Sequence, residues 1–179
     1  MATPEDAGED IFLPGGKLRG DLLTEAAQSA LGEAVRLTRE TQWDTVRSPH
    51  LFMGLLAIRD ARVREWGRLF HADLDQLLDE FQRLFYREDG EEDSYLVLNR
   101  EFLSDNVIRH LRDAIGRAQG YGRKQITTMD LLISLLTVPN SIVAECLEQL
   151  GITAAKLTEI ALIAENVRLD GDRTGRSGR

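Results

Sequence analysis

Residues 47–60 read RSPHLFMGLLAIRD, and residues 126–139 read ITTMDLLISLLTVP. Set Leu51 on Leu131 and the pair Leu55-Leu56 falls on Leu135-Leu136, eighty positions further on. Each stretch opens on a hydroxyl residue, Ser48 or Thr128, and then runs apolar on nearly every side. A helix that is apolar all round sits in an interior, walled by other elements. These two rods are therefore expected to be the centres of the fold. Ser48 and Thr128 are read as their caps, with Pro49 at the first helical position, where a missing N–H costs nothing.

The register extends outward from the rods. Residues 22–85 lie over 102–165 without a gap and share nine identities, among them Leu23/Leu103, Leu31/Leu111, Ala34/Ala114, Val63/Val143 and Leu77/Leu157. A chain this rich in Leu, Ala and Arg would give roughly five by chance, so the near-matches decide. Thr24-Glu25 meets Ser104-Asp105, Val46-x-Ser48 meets Ile126-x-Thr128, and Phe70 meets Leu150. Hydroxyl and acidic residues coincide where helices should start. Two copies of one supersecondary unit account for this pattern.

Each copy reads as four helices. The first follows Thr24 or Ser104 and carries an i, i+3, i+4, i+7 stripe: Ala27, Ala30, Leu31, Ala34 and Leu37, then Val107, His110, Leu111, Ala114 and Ala118. The rods come second. A short third helix is expected over 61–70 and 141–150, and a fourth begins at Asp73 and at Thr153. The only strand-like patch is Tyr95 to Leu98. The expected organisation is an all-α bundle of two pseudo-symmetric four-helix repeats. Repeat 1 spans 21–85 and repeat 2 spans 102–168. Between them lies an acidic, solvated linker (86–101) that contains REDGEED. A mobile arm (1–20) and a mobile tail (169–179), both rich in Gly and charge, flank the repeats. Ile11-Phe12-Leu13 is the one stretch of the arm apolar enough to dock.

Composition narrows function. The net charge of −8 is the wrong sign for a phosphate-binding footprint, so nucleic acid is not an expected partner. No run approaches the ~20 apolar residues of a membrane span, and MATPEDAGED has no apolar leader core. With Cys146 the only cysteine, there is no disulfide framework, and a cytoplasmic setting is expected. No zinc spacing, nucleophile constellation or cofactor motif appears. His50 is expected to satisfy nearby backbone. Arg59, Arg62, Arg64 and Arg68 are expected to form a solvated face paired with the acidic linker. The candidate contact residues lie in the turns that precede the rods: Trp43 and Arg47 in the first, Tyr121, Arg123 and Lys124 in the second. Trp, Tyr and Arg are the favoured anchors of protein interfaces.

The order of these motifs resembles the Clp N-terminal repeat: T/S-E/D at a helix head, an Ala-rich helix, I/V-x-T/S-x-H/D-L-L-x-x-L-L, a short helix, and G-I/V-x-x-x-K-L. The resemblance covers residues 22 to 167 and is closer in the second copy, with ITTMDLLISLL and LGITAAKL. It implies a non-catalytic module that binds substrate peptides or adaptors for an AAA+ unfoldase. No G-x-x-x-x-G-K-[ST] occurs in the chain, so these residues hold no phosphate loop of the family's ATPase. The resemblance thus implies a stand-alone relative or an excised domain. Members that read phosphoarginine place an acidic residue where this chain has Pro49 and Met129. Neither supplies the carboxylate fork that a guanidinium needs. The second reading of the same features is a structural or regulatory scaffold that keeps the fold and meets no unfoldase.

Overall fold

The computed structural model describes residues 10–90 and 95–167. Repeat 1 contains α1 (Glu25–Glu40), α2 (Ser48–Ala57), α3 (Ala61–Leu69) and α4 (Leu74–Leu84); repeat 2 contains α5 (Asp105–Gly120), α6 (Thr128–Thr137), α7 (Ile142–Gln149) and α8 (Ala154–Asn166). Among the described residues there is no strand beyond four isolated bridges, and no single helix is long and apolar enough to cross a membrane. The Tyr95–Leu98 patch forms no strand; Leu96 is buried in the core instead.

Most helix starts are where the hydroxyl and acidic residues place them. Thr24, Ser104 and Thr153 each accept a backbone N–H three residues on, at 3.2 Å, and Asp73 accepts from Asp75 and Gln76. The rods start one residue earlier than expected: the caps are Arg47 and Thr127. The reason lies at the third helical position. His50 Nδ1 accepts the Arg47 N–H at 3.1 Å, and Asp130 Oδ2 accepts the Thr127 N–H at 2.8 Å. Thr127 Oγ1 takes the Asp130 N–H in return, closing a capping box.

Ser48–Leu56 and Thr128–Leu136 are buried at every position, which makes α2 and α6 the central rods. Each is flanked by the first and fourth helices of its own repeat, and the two rods touch each other. The symmetry is clearest where the repeats exchange backbone. Leu23 bridges Ile126, and Val46 bridges Leu103. The bonds match as well: Ile126 N–H to Leu22 O and Val46 N–H to Phe102 O, both 2.7 Å. The head of each first helix is thus pinned by the turn that precedes the other repeat's rod.

The two α-helical crossings solve one problem differently. At Gly54 in α2 a Cβ would collide with the Ala30 carbonyl oxygen of α1, so glycine permits that close approach. The equivalent pair in repeat 2 is Ser134 and His110. His110 stands between the rods, with Nδ1 3.1 Å from Ser134 Oγ and Nε2 3.0 Å from Ser48 Oγ. Thr128, the equivalent of Ser48, donates to Asp60 Oδ2 at 3.0 Å.

One junction is not duplicated. Helix α3 lies along α8, where Trp66 Nε1 donates to Leu157 O at 3.1 Å. Arg62 donates to Ala164 O at 3.1 Å and to Val167 O, at the carbonyl-rich end of α8. Eighty positions on, α7 carries Cys146 and Ile142 in their place, and α7 and α4 scarcely touch.

Residues 10–20, expected to be mobile, are packed. Ile11, Phe12 and Leu18 join the core while Leu13 is exposed, and Arg100 N–H donates to Gly16 O at 2.8 Å. Three apolar side chains outweigh the glycines and charges around them. On the arginine face, Arg68 bonds Glu65 at 3.0 Å, Arg59 faces Asp75 at 3.7 Å and Arg62 clasps α8. Residues 1–9, 91–94 and 168–179, including the last three residues of REDGEED and the tail, lie outside the described residues.

Candidate functional site

The turns 41–47 and 121–127 are equivalent, and each enters through a left-handed residue, Gln42 (φ 65°) or Gly122 (φ 74°). Glycine adopts that conformation without strain; Gln42 tolerates it while its side chain meets the Tyr86 hydroxyl at 2.6 Å.

In the first turn the Trp43 ring is half-buried. Its Nε1–H donates to Phe85 O at 2.5 Å, and guanidinium groups lie over its ring, Arg47 at 5.0 Å and Arg87 at 4.7 Å. Its edge meets the His50 ring at 5.7 Å. Thr41 Oγ1 donates to Leu37 O at 2.7 Å, so its lone pair accepts from His50 Nε2, 3.0 Å away. His50 is therefore neutral, with the proton on Nε2. Burial, and then the Arg47 charge, lower its pKa to about 4.

The second turn replaces this neutral knot with an ionic one. Arg123 is the equivalent of Trp43, and Asp130 the equivalent of His50. Arg123 forks onto Asp130 at 2.6 and 2.9 Å. Arg117 reaches Asp130 at 2.7 Å and forks onto Glu165 at 2.6 and 2.7 Å. The Tyr121 ring packs against both guanidinium groups, 5.0 Å from Arg117 and 5.6 Å from Arg123. Asp130 is fully buried. Burial would raise its pKa, but Arg123, the Thr127 N–H and Arg117 outweigh it and hold the carboxyl below its ordinary range. Glu165 foremost, then Asp130, hold Arg117 firmly charged against the opposing effect of burial.

The five expected contact residues thus divide. Trp43 and Arg123 are anchored inward, whereas Arg47, Tyr121 and Lys124 present themselves to solvent. The residues that sequence reasoning did not single out are Arg117, Asp130 and Glu165. One signal pointed to them: a carboxylate inside an otherwise apolar rod must be paired. Two clefts of about 440 Å³ each share Arg123 and Thr127 as a wall. One continues along Tyr121, Met129, Arg62 and Glu165; the other along Lys124, Gln125, Thr24 and Asp21. The second adjoins the Leu23–Ile126 bridge, and the first lies between the α6 start and the end of α8. Among the described residues no group of three His, Cys, Asp or Glu side chains is placed to hold a metal.

Residues 102–168 match the family model of the Clp repeat (R) N-terminal domain, the copy whose motifs are the nearer. Solved structures match over the whole fold. The N-terminal domain of the caseinolytic protease associated chaperone ClpD from Arabidopsis thaliana aligns at TM-score 0.63 and 20% identity, covering 82% of this chain and 96% of that one. The Hsp104 N-terminal domain from Candida albicans aligns at 0.64 and 12%, covering 82% and 93%. A ClpV N-domain in complex with a VipB peptide aligns at 0.60 and 19%, covering 80% and 88%. This chain has the Clp N-domain fold. No curated protein sequence matches it. In this chain Pro49 and Met129 are both buried, and Glu165, in the cleft beside Met129, is already forked with Arg117.

Proposed function

We propose that this Clp N-domain is a non-enzymatic binding module. It takes up substrate peptides or an adaptor protein in the cytoplasm, in the service of a Clp-type AAA+ unfoldase. The observation that carries this reading is the likeness of the whole fold to a ClpV N-domain that was solved with a VipB peptide. The second turn supports it. Tyr121 is 65% exposed yet packed against two arginines that are themselves held by Asp130, so ordering it on binding costs less side-chain entropy than ordering a free tyrosine. Lys124 lines the neighbouring cleft, which shares Arg123 with that of Tyr121.

A peptide array drawn from unfolded clients, followed by fluorescence anisotropy on the hits, tests the proposal. Binding in the micromolar range is expected, weakened about tenfold in Tyr121→Ala/Lys124→Ala, equivalent to roughly 1.4 kcal/mol. An array on which no peptide binds, together with affinity capture that brings down neither unfoldase nor adaptor, would favour the scaffold reading.

A further inference from the structure

The junction that is not duplicated leaves a groove. It lies where the start of α4 and the α3–α4 turn face the end of α7, with Phe70, Leu77, Leu147, Leu150 and Ile152 as its apolar lining. Its volume is about 250 Å³. The pseudo-symmetry explains why it is open. On the other side Trp66 and Arg62 close α3 onto α8 by donating to Leu157, Ala164 and Val167 carbonyls. Here Cys146 and Ile142 stand at those two positions and donate nothing of the kind. Opposite them α4 carries Leu77 and Leu84 at the positions of Leu157 and Ala164. Three large apolar side chains are left in solvent along this seam: Ile142 at 44%, Leu150 at 54% and Leu84 at 61% exposed. Apolar groups aligned at the vacant half of a helix-packing site are what a docked helix would cover.

The charge around the groove selects the occupant. Asp73 and Glu80 line it with no Lys or Arg beside them, and α7 carries Glu145 and Glu148 with no basic residue. We propose that the α4–α7 seam docks an amphipathic helical segment of a partner protein, with leucine-type anchors on one face and lysine or arginine on its flanks. The anchors cover Leu150, Ile142 and Leu77. The flanking cations meet the acidic rim and steer encounter. This deepens the binding reading above by naming a second surface and the chemistry of its guest.

The test uses a labelled model helix, a 16-residue Leu/Lys amphipathic peptide, and its Leu/Glu counterpart, titrated into the full chain with amide chemical-shift mapping. The Leu/Lys peptide is expected to bind at least tenfold more tightly than the Leu/Glu peptide and to shift residues 70–80 and 142–152. Leu150→Gln, an exposed substitution, should weaken binding about fivefold. Ile142→Arg/Cys146→Trp, which rebuilds the clasp of the closed side, should abolish it. Equal binding of both peptides, or shifts confined to 41–47 and 121–127, would overturn the groove while leaving the general binding function standing. Concentration-dependent shifts at the seam without peptide would assign it to a second copy of this chain and overturn the proposal equally. Failure of the general function has a different signature, an empty client array.

Discussion

Acid should loosen this fold through its buried histidines, and His110 allows a quantitative test. Its ring bridges Ser48 and Ser134 between the two rods, and burial, then the Arg109 charge, lower its pKa to about 4. The unfolded chain has the ordinary value near 6.5. Between those two values the unfolded state binds a proton that the folded state refuses. Stability is therefore intact above about pH 6.5, falls as the pH drops from there, and levels off below about pH 4. Linkage puts the loss at about 2 kcal/mol per histidine at pH 5. His50 is shifted the same way, and its protonation would also set a new Nδ1–H against the Arg47 N–H. The pair together should cost about 4 kcal/mol between pH 7 and pH 5. The assay is urea unfolding at both pH values for the wild type and for His110→Gln, whose amide donates and accepts but does not titrate. The variant should lose about 2 kcal/mol less than the wild type over that interval. Equal losses would refute the claim that His110 is held neutral by its place between the rods.

Other perturbations separate the two halves. Asp130→Asn leaves Arg117 and Arg123 short of a buried carboxylate and should cost about 3 kcal/mol in the same unfolding assay at neutral pH. Gly54→Ala drives a methyl into the Ala30 carbonyl and should destabilise by about 1–3 kcal/mol. Gly32→Ala, exposed on α1 with open space around its Cβ site, should stabilise by up to about 1 kcal/mol. Trp66→Phe keeps the ring but removes the donor to Leu157, and a drop in melting temperature equivalent to about 1–2 kcal/mol is expected.

Much of the fold is legible in the chain because the duplication writes it twice. The apolar rods, the caps at Thr24, Ser104, Asp73 and Thr153, and the stripe on α1 are local patterns, and local patterns survive into structure. What stayed hidden depends on partners distant in sequence. His110 sits on an apolar stripe and reads as one more inward residue; only its neighbours Ser48 and Ser134 show that it joins the rods. Arg123 reads as a contact residue of an exposed turn, yet Asp130 captures it. The turn at Gln42 carries no glycine, and only its twin at Gly122 hints at the backbone there. The open seam could not be read at all, since it comes from a missing contact between α4 and α7.

The exchanged bridges Leu23–Ile126 and Val46–Leu103 also speak to descent. Each half borrows from the other the peptide groups that seat its leading helix, so an unduplicated ancestor would have needed a homodimer to complete itself. Fusing two such copies would turn that dilution-sensitive meeting into an encounter within one molecule, at an effective concentration set by the tether. Within one chain each copy is free to differ from the other. One side kept a sealed joint, and the other could give its joint up to visitors.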